Sequence, residues 1–332
     1  MGSGECGESG QGANSARHGA TGESSAGARL SQPTIVVAGA TGDLGARIAR
    51  ELVARGAAVR ALVRPTSTPS ASARLVALGV TVTVVDREDA AAMAVACEGA
   101  SCVVSALNGL REVIVERQSS LLDAAVKAGV PRFIPSDYAA DFAKTTAGEN
   151  RNFDLRREFM ARADNARIAI TSILNGAFMD MLGAEMPIIR PRLRRVLYWG
   201  DDPRQPLDFT AKDDVAAYVA AAAVDASTPR FLRIAGDVVS AQKIADVMSA
   251  LTEKSFRPLR VGGLESLGTM IAVMQRLAPQ PAAVFPPWQG MQYLRDMYSG
   301  KGKLLPLDND RYPGLKWSKV EDVLASRPFA RR

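Results

Sequence analysis

The stretch "TIVVAGATGDLGARIARELVARG" constrains the fold of this chain more than any other. A short apolar run leads into a loop with glycines at 39, 42 and 45, and a segment of helical periodicity follows. In a loop of this kind Gly39 makes the tight turn, Gly42 lets the backbone approach a pyrophosphate, and Gly45 allows close helix packing. The helix then offers free N–H groups and its positive dipole end to the phosphates. The stretch therefore predicts a βαβ unit that binds a dinucleotide.

Apolar strand-like runs alternate with helical segments over the first half of the chain. The runs "AAVRALVR", "VTVTVVD", "SCVVSA", "RFIPS" and "RIAITSIL" are separated by helical patterns of about 10 to 18 residues, which is typical of a parallel sheet covered by helices. The alternation predicts an α/β fold with a Rossmann-type doubly wound parallel sheet. It weakens after the last of these runs. We expect residues 33–175 to form mainly the dinucleotide-binding core, and residues 176–332 mainly a smaller C-terminal substrate lobe with elements that return to the sheet.

The first 32 residues differ in composition from the rest, because glycine, serine, alanine and glutamate dominate them. They offer too little apolar surface to offset the entropy of ordering, so residues 1–32 are expected to be a disordered tail. The tail lacks the apolar run of a secretory signal, and no later run of about 18 apolar residues suggests a membrane span. The sequence therefore favours a cytoplasmic protein without membrane contact.

Charge, cysteine and histidine usage exclude several classes of function. The formal charge of +6 is scattered, so no basic stripe for nucleic acid is expected. Cys6, Cys97 and Cys102 show no metal-ligand spacing, which fits a reducing compartment and argues against a metal site. The single histidine, His18, lies in the tail. The folded part therefore contains no imidazole for general-base chemistry.

The end of the second strand indicates which dinucleotide is bound. In "ALVRPTST" the position where an NAD site usually carries a carboxylate holds Arg64, and three hydroxyl side chains follow it. A guanidinium can pair with a 2′-phosphate, so NADP(H) is favoured over NAD. The alternative is a solvated surface arginine.

Further cofactor contacts are expected where the other strands end. Asp86 ends the third strand near the adenine, and "SALN" after the fourth strand runs beneath the ribose. The expected cofactor-binding residues up to this point are Gly39, Thr41, Gly42, Asp43, Leu44, Gly45, Arg64, Asp86, Ala106, Leu107 and Asn108.

Seven segments in order give the chain a family resemblance. They are "GATGDLG", "ALVR", "SALNG", "AGVPRFIPSDYAADF", "NFDLRREF", "ITSILNGAFMD" and "YPGLKWSKVEDVL". Over roughly residues 34–328 the chain resembles the isoflavone reductase-like branch of the NmrA-like atypical short-chain dehydrogenases. That family includes NADPH-dependent reductases of phenylpropanoid-type substrates, and it also includes regulatory proteins that bind the dinucleotide without turnover.

The resemblance implies an NADPH-dependent oxidoreductase that reduces a small carbonyl, enone or quinone-like compound of apolar or aromatic character. The alternative it implies is a non-catalytic NAD(P)-sensing regulatory protein that binds a protein partner. Fold alone does not separate the two.

One departure from the family concerns the catalytic lysine of the reductases, which follows a phenylalanine, an acidic and an aliphatic residue. This chain has Phe153, Asp154 and Leu155 and then Arg156 at the lysine position. A guanidinium does not lose its proton near neutral pH. Arg156 is therefore expected to hold the nicotinamide ribose or stabilise a developing oxyanion, and not to donate a proton.

Another departure offers a replacement donor. Tyr138 in "PSDYAADF" stands where plant reductases have phenylalanine, and a phenol with its pKa lowered by Arg156 could give a proton. The alternative is a half-buried tyrosine packing a loop. Ser136 nearby is expected either to bind the cofactor or to form a turn. Asn175 and Phe178 match the family's segment flanking the nicotinamide and substrate, with a turn and a core aromatic as the alternative.

The composition of the tail leads to a first prediction. A chain beginning at Gln32 should keep the melting temperature and cofactor affinity of the full chain, because residues 1–31 carry no periodic apolar face and no motif. Differential scanning fluorimetry and a cofactor titration of both chains test this. A drop of several degrees in the shorter chain would show that the tail docks on the folded part.

Overall fold

The computed structural model describes Met1 and residues 32–327 except Arg87, Ala184 and Glu185. The expected disordered tail thus lies outside the described residues apart from its two ends. Within the described part, no helix is long and apolar enough to cross a membrane.

Short runs of valine, isoleucine and alanine form the main sheet of the protein. Its strands are β1 (Thr34–Ala38), β2 (Ala58–Val63), β3 (Thr81–Val84), β4 (Cys102–Ser105), β5 (Arg132–Ile134) and β6 (Ala169–Ile170). All pairs are parallel and the order is β3-β2-β1-β4-β5-β6. The order reverses between β1 and β4, which is where a doubly wound sheet opens its ligand crevice. The predicted fold class is confirmed.

The helices of the N-terminal half cover both faces of this sheet. They are α1 (Asp43–Ala54), α2 (Pro69–Ala77), α3 (Ala90–Cys97), α4 (Gln118–Lys127) and α5 (Arg151–Ala163). A π-helical stretch, Glu112–Arg117, runs directly into α4. Alternate residues of β1 face opposite layers: Ile35 and Val37 enter one hydrophobic cluster, whereas Val36 and Ala38 enter the other. This period of two is what a strand covered on both faces requires.

The helices of the C-terminal half divide between the main sheet and a second hydrophobic core, here called the lobe. They are α6 (Lys212–Val224), α7 (Ala241–Thr252), α8 (Leu264–Leu277), α9 (Pro287–Tyr298) and α10 (Val320–Ala325). The alanine-rich α6 is buried against α1 and the main sheet, in the cluster that holds Ile35 and Val37. The other four helices contribute to the hydrophobic core of the lobe or pack on it.

Short strands of the second half of the chain form three small sheets that are separate from the main sheet. They are β7 (Ser172–Leu174), β8 (Ala177–Phe178), β9 (Ile189–Arg190), β10 (Arg195–Trp199), β11 (Leu207–Thr210), β12 (Phe231–Arg233), β13 (Asp237–Val239) and β14 (Arg257–Gly262). They form the sheets β14-β10-β9, β13-β11-β8 and β12-β7. The run "RIAITSIL" is therefore a strand interrupted at Thr171, with β6 in the main sheet and β7 paired to β12.

Tyr138 belongs to the core rather than to an open edge. Its side chain packs in the same hydrophobic cluster as Ile134, Ile173 and Leu232, and only 7% of the residue is exposed. Its buried hydroxyl has no hydrogen-bond partner among the described residues. Such a hydroxyl loses its contacts with water and gains none in the folded state.

This burial leads to a second prediction. Tyr138→Phe should raise the free energy of unfolding by roughly 1 kcal/mol, because it removes an unpaired buried hydroxyl and leaves the ring in place. Tyr218→Phe is the matched control: the Tyr218 hydroxyl donates to the Asp308 carbonyl oxygen at 2.8 Å, so its loss should cost about 1–2 kcal/mol. Urea unfolding measures both. Equal destabilisation by the two changes would mean that Tyr138 has a hydrogen-bond partner in solution.

Candidate functional site

The glycine loop between β1 and α1 comes very close to the turn after β4. Gly39 has a φ of +85°, and a Cβ atom there would lie 2.6 Å from the Ala106 carbonyl oxygen. A Cβ on Gly45 would lie 2.1 Å from the Gly39 carbonyl oxygen. Neither position therefore admits a side chain. At Gly39 both the positive φ and the contact exclude it, and at Gly45 the contact does.

The first turn of α1 is open toward solvent. Gly42 is the N-cap residue and offers no side-chain cap, and its N–H donates to the Gly39 carbonyl oxygen at 3.0 Å. Thr41, Gly42 and Asp43 are exposed, whereas Leu44 is half-buried against the core. A glycine cradle in front of uncapped helix N–H groups fits the pyrophosphate of a dinucleotide.

Arg64 lies at the same edge of the sheet as the glycine loop. Ala38 pairs with Leu62 in the neighbouring strand, and Arg64 follows two residues later in an exposed turn closed by Ser67. Its guanidinium has no hydrogen bond or ion pair to any residue of the described ranges. Asp86, beyond β3, is also exposed and accepts from the Glu88 N–H at 3.1 Å. An unpaired guanidinium fits a 2′-phosphate.

Hydrogen bonds join the turn after β4 to the end of β1 on one side and to the end of β5 on the other. The Ala106 N–H donates to the Ala38 carbonyl oxygen at 2.8 Å. The Ser136 hydroxyl donates to the Leu107 carbonyl oxygen at 2.6 Å. Asn108, next along, is exposed. Ser136 is 4% exposed, and its hydroxyl supports the backbone of the turn after β4.

Sequence reasoning missed Gln118, which holds Ser136 from the other side. The wholly buried Gln118 accepts from the Ser136 N–H at 2.9 Å and donates to the Ile114 carbonyl oxygen at 3.1 Å. A glutamine within an otherwise apolar helix face was the available signal, since a buried amide requires partners.

Arg156 lies on α5 and faces a buried carboxylate. One of its Nη atoms donates to the Asn152 carbonyl oxygen at 3.1 Å, and its Nε is buried without a partner among the described residues. Asp137 is buried nearby: burial raises the pKa of its carboxyl, while the hydrogen bond from Ser172 and the positive charges of Arg156 and Arg230 oppose that rise. Arg156 thus provides positive charge at the carboxyl edge of β5.

The expectation for the Tyr138 phenol was wrong in its electrostatics. Burial raises the pKa of Tyr138, and the nearby Asp137 raises it further, whereas Arg156 was expected to lower it. Beyond the end of β5 the Ser136 hydroxyl reaches the turn after β4, whereas the Tyr138 ring packs in the core.

Asn175 and Phe178 lie together where β7 passes into β8. Asn175 is fully buried, its N–H donates to the Ala139 carbonyl oxygen at 2.9 Å, and its side-chain oxygen lacks a partner among the described residues. Phe178 is half-buried, and the Lys212 Nζ lies 5.9 Å from its ring centroid. Sequence reasoning also missed Lys212, which comes from the start of α6.

Known proteins share this architecture. Pinoresinol reductase 2 of Arabidopsis thaliana is 26% identical over 250 residues, which is 70% of this chain and 78% of the relative. A solved structure of AtPrR2 with NADP+ and (+)pinoresinol superposes with a TM-score of 0.74 at 22% identity, covering 89% of this chain and 98% of the other. Leucoanthocyanidin reductase from Vitis vinifera, in its binary complex with NADPH, gives a TM-score of 0.74 at 16% identity, covering 90% and 100%.

The similarity to known proteins extends well beyond the glycine loop. The model of the NmrA-like family matches residues 31–285. That range includes the whole main sheet, α6 and most of the C-terminal lobe. The chain belongs to the NmrA-like family.

Proposed function

We propose that this protein is an NADPH-dependent reductase of a small apolar or aromatic carbonyl, enone or quinone-like compound. The observation that carries the proposal is the unpaired guanidinium of Arg64 at the same sheet edge as the Gly39–Gly45 cradle. A 2′-phosphate distinguishes NADP(H) from NAD, and a free arginine in this position selects for it. The similar proteins described with NADP+ or NADPH support the same cofactor.

Different residues of this chain would bind the different parts of the cofactor and the substrate. Bound NADPH supplies a hydride. Gly39, Gly42 and the first N–H groups of α1 would hold the pyrophosphate, and Arg64 the 2′-phosphate. Phe178 offers an apolar wall beside the site, and its half-buried ring suits a flat substrate.

Arg156 would supply positive charge without supplying a proton. It faces the carboxyl edge of β5 from α5, and its charge would favour a developing oxyanion on the substrate. Since the Tyr138 phenol is enclosed in the core, solvent is the proton source we propose for the product.

The presence of an arginine at position 156 also favours a second candidate function. The related reductases have a lysine at this position, and an arginine there removes a group that can titrate. The alternative is therefore a regulatory protein that binds NADP(H) without turnover and acts through a protein partner. Oxidation of NADPH by a panel of enones and quinones separates the two: binding without any oxidation would favour the regulator.

A third prediction concerns the cofactor preference. Arg64→Ala should weaken NADPH binding about tenfold, on the order of 1.5 kcal/mol for a charged hydrogen bond at an exposed site, and leave NADH binding unchanged. Fluorescence titration of both nucleotides measures this. Arg74→Ala, which removes an exposed arginine from α2, is the matched control. Equal affinity of the unmutated protein for NADPH and NADH would refute the role of Arg64.

A fourth prediction concerns Arg156. Arg156→Ala should lower cofactor affinity and turnover together, because it removes a positive charge from the nicotinamide end of the site. Arg156→Lys should keep much of the binding, since the charge remains although the planar geometry is lost. Titration and steady-state rates with the panel measure both effects. Arg162→Ala removes another arginine of α5, one that pairs at the surface with Asp123 of α4, and it should change neither. Unaltered binding and turnover in Arg156→Ala would assign this residue to structure alone.

A further inference from the structure

Asp43 places a negative charge where the proposed cofactor site needs to attract one. It is the first residue of α1, and 54% of its side chain is exposed. Hydrogen bonds from Lys212, and then from Arg47, hold the pKa of its carboxyl below the usual range, so it is ionised at neutral pH. A carboxylate at a helix N-terminus stabilises the free helix. The same charge repels the phosphates of a dinucleotide that binds to that helix end.

Lys212 opposes this charge from the other half of the chain. Its Nζ donates to the Asp43 Oδ2 at 2.8 Å, and its side chain is 22% exposed. Its backbone N–H donates to the Asp180 Oδ2 at 2.8 Å, which fixes the start of α6. Because α6 is buried along its length against α1, the ammonium is held at this place rather than free to move along the surface.

The other cations of the cluster are shared among several carboxylates. Arg47 donates through Nε to the Asp43 Oδ1 at 2.8 Å and through Nη1 to the Asp213 Oδ1 at 2.7 Å. Arg50 also pairs with Asp213, at 2.8 Å, and with Glu51, at 3.2 Å. Asp43 is the carboxylate with which Lys212 pairs in the described part of the chain. Without Lys212 the three carboxylates of this group would face two guanidinium groups.

We infer that Lys212 is a cofactor-affinity residue, which neutralises Asp43 and so allows the dinucleotide pyrophosphate to bind at the N-terminus of α1. The inference depends on the proposed function, since it requires a dinucleotide at this site. Lys212 thereby differs in role from Arg64. The pyrophosphate is common to NADP+ and NAD+, so Lys212 sets the affinity for both nucleotides, whereas Arg64 sets the preference between them.

Calorimetric titration of the full chain with NADP+ and with NAD+ tests this without measuring turnover. Lys212→Met should weaken the binding of both nucleotides about fivefold at low salt. This is the effect expected for one unit charge at a distance of a few ångströms in water-like surroundings. The loss should shrink at about 0.5 M salt. Asp43→Asn in the Lys212→Met background should restore affinity to within about twofold of the unmutated chain, because the repelling charge is then gone.

Two further variants complete the design. Arg50→Met removes an exposed cation of the same cluster that is not bonded to Asp43, and it should lower both affinities much less than Lys212→Met does. Asp43→Asn alone should strengthen the binding of both nucleotides a few-fold. This variant tests the inference if Lys212→Met does not fold, which thermal melting of the free protein would show.

Several outcomes would overturn the inference. An unchanged affinity in Lys212→Met, or a loss that persists in the double variant, would exclude neutralisation of Asp43 as the role of Lys212. NADP+ binding with a preference set by Arg64 would in that case leave the proposed function intact. If the unmutated chain bound neither nucleotide, the proposed function and the role of Lys212 would fail together.

Discussion

The contact between two backbone turns, at Gly39 and Ala106, is the constraint on which the rest of the structure depends. The turn after β1 meets the turn after β4 with no room for a side chain between them. This contact sets the width of the crevice at the point where the strand order reverses. It also fixes the direction in which α1 leaves the sheet. The position of the open N-terminus of α1, and of the charged side chains around it, follows from that direction. Arg64, Ser136 and Lys212 all lie around these two turns.

Two of the positive side chains at the carboxyl edge of the main sheet are arginines, Arg64 and Arg156. Arginine keeps its charge near neutral pH, so the proposed roles of Arg64 and Arg156 both rest on positive charge that does not depend on proton uptake. The cost of burying a carboxylate is visible at Asp137, whose raised pKa is opposed by two guanidinium groups.

The sequence predicted the main sheet well because each of its strands is short, apolar and followed by a helix of clear periodicity. It predicted the tight turn at Gly39 and the close helix packing at Gly45, because neither position leaves room for a side chain. It failed at Tyr138, since no local pattern shows which way a side chain turns once a strand has ended. It also missed Lys212, which meets Asp43 from 169 positions further along the chain. The two-residue strands β8 and β9 are too short for any periodicity to be recognised.

The π-helical stretch before α4 has a consequence for how this region can change by insertion and deletion. Each residue of an α-helix advances the side chain by about 100° around the axis, and a π-turn accommodates one residue more than an α-turn. Gln118 begins α4 directly after the stretch Glu112–Arg117 and reaches the Ser136 N–H. Deleting one residue from this stretch would convert it to α-helix and rotate the Gln118 amide away from β5 or shift every apolar residue before it. Its register is therefore as restricted as that of a core strand, although side chains such as Glu112 and Glu116 lie on the surface.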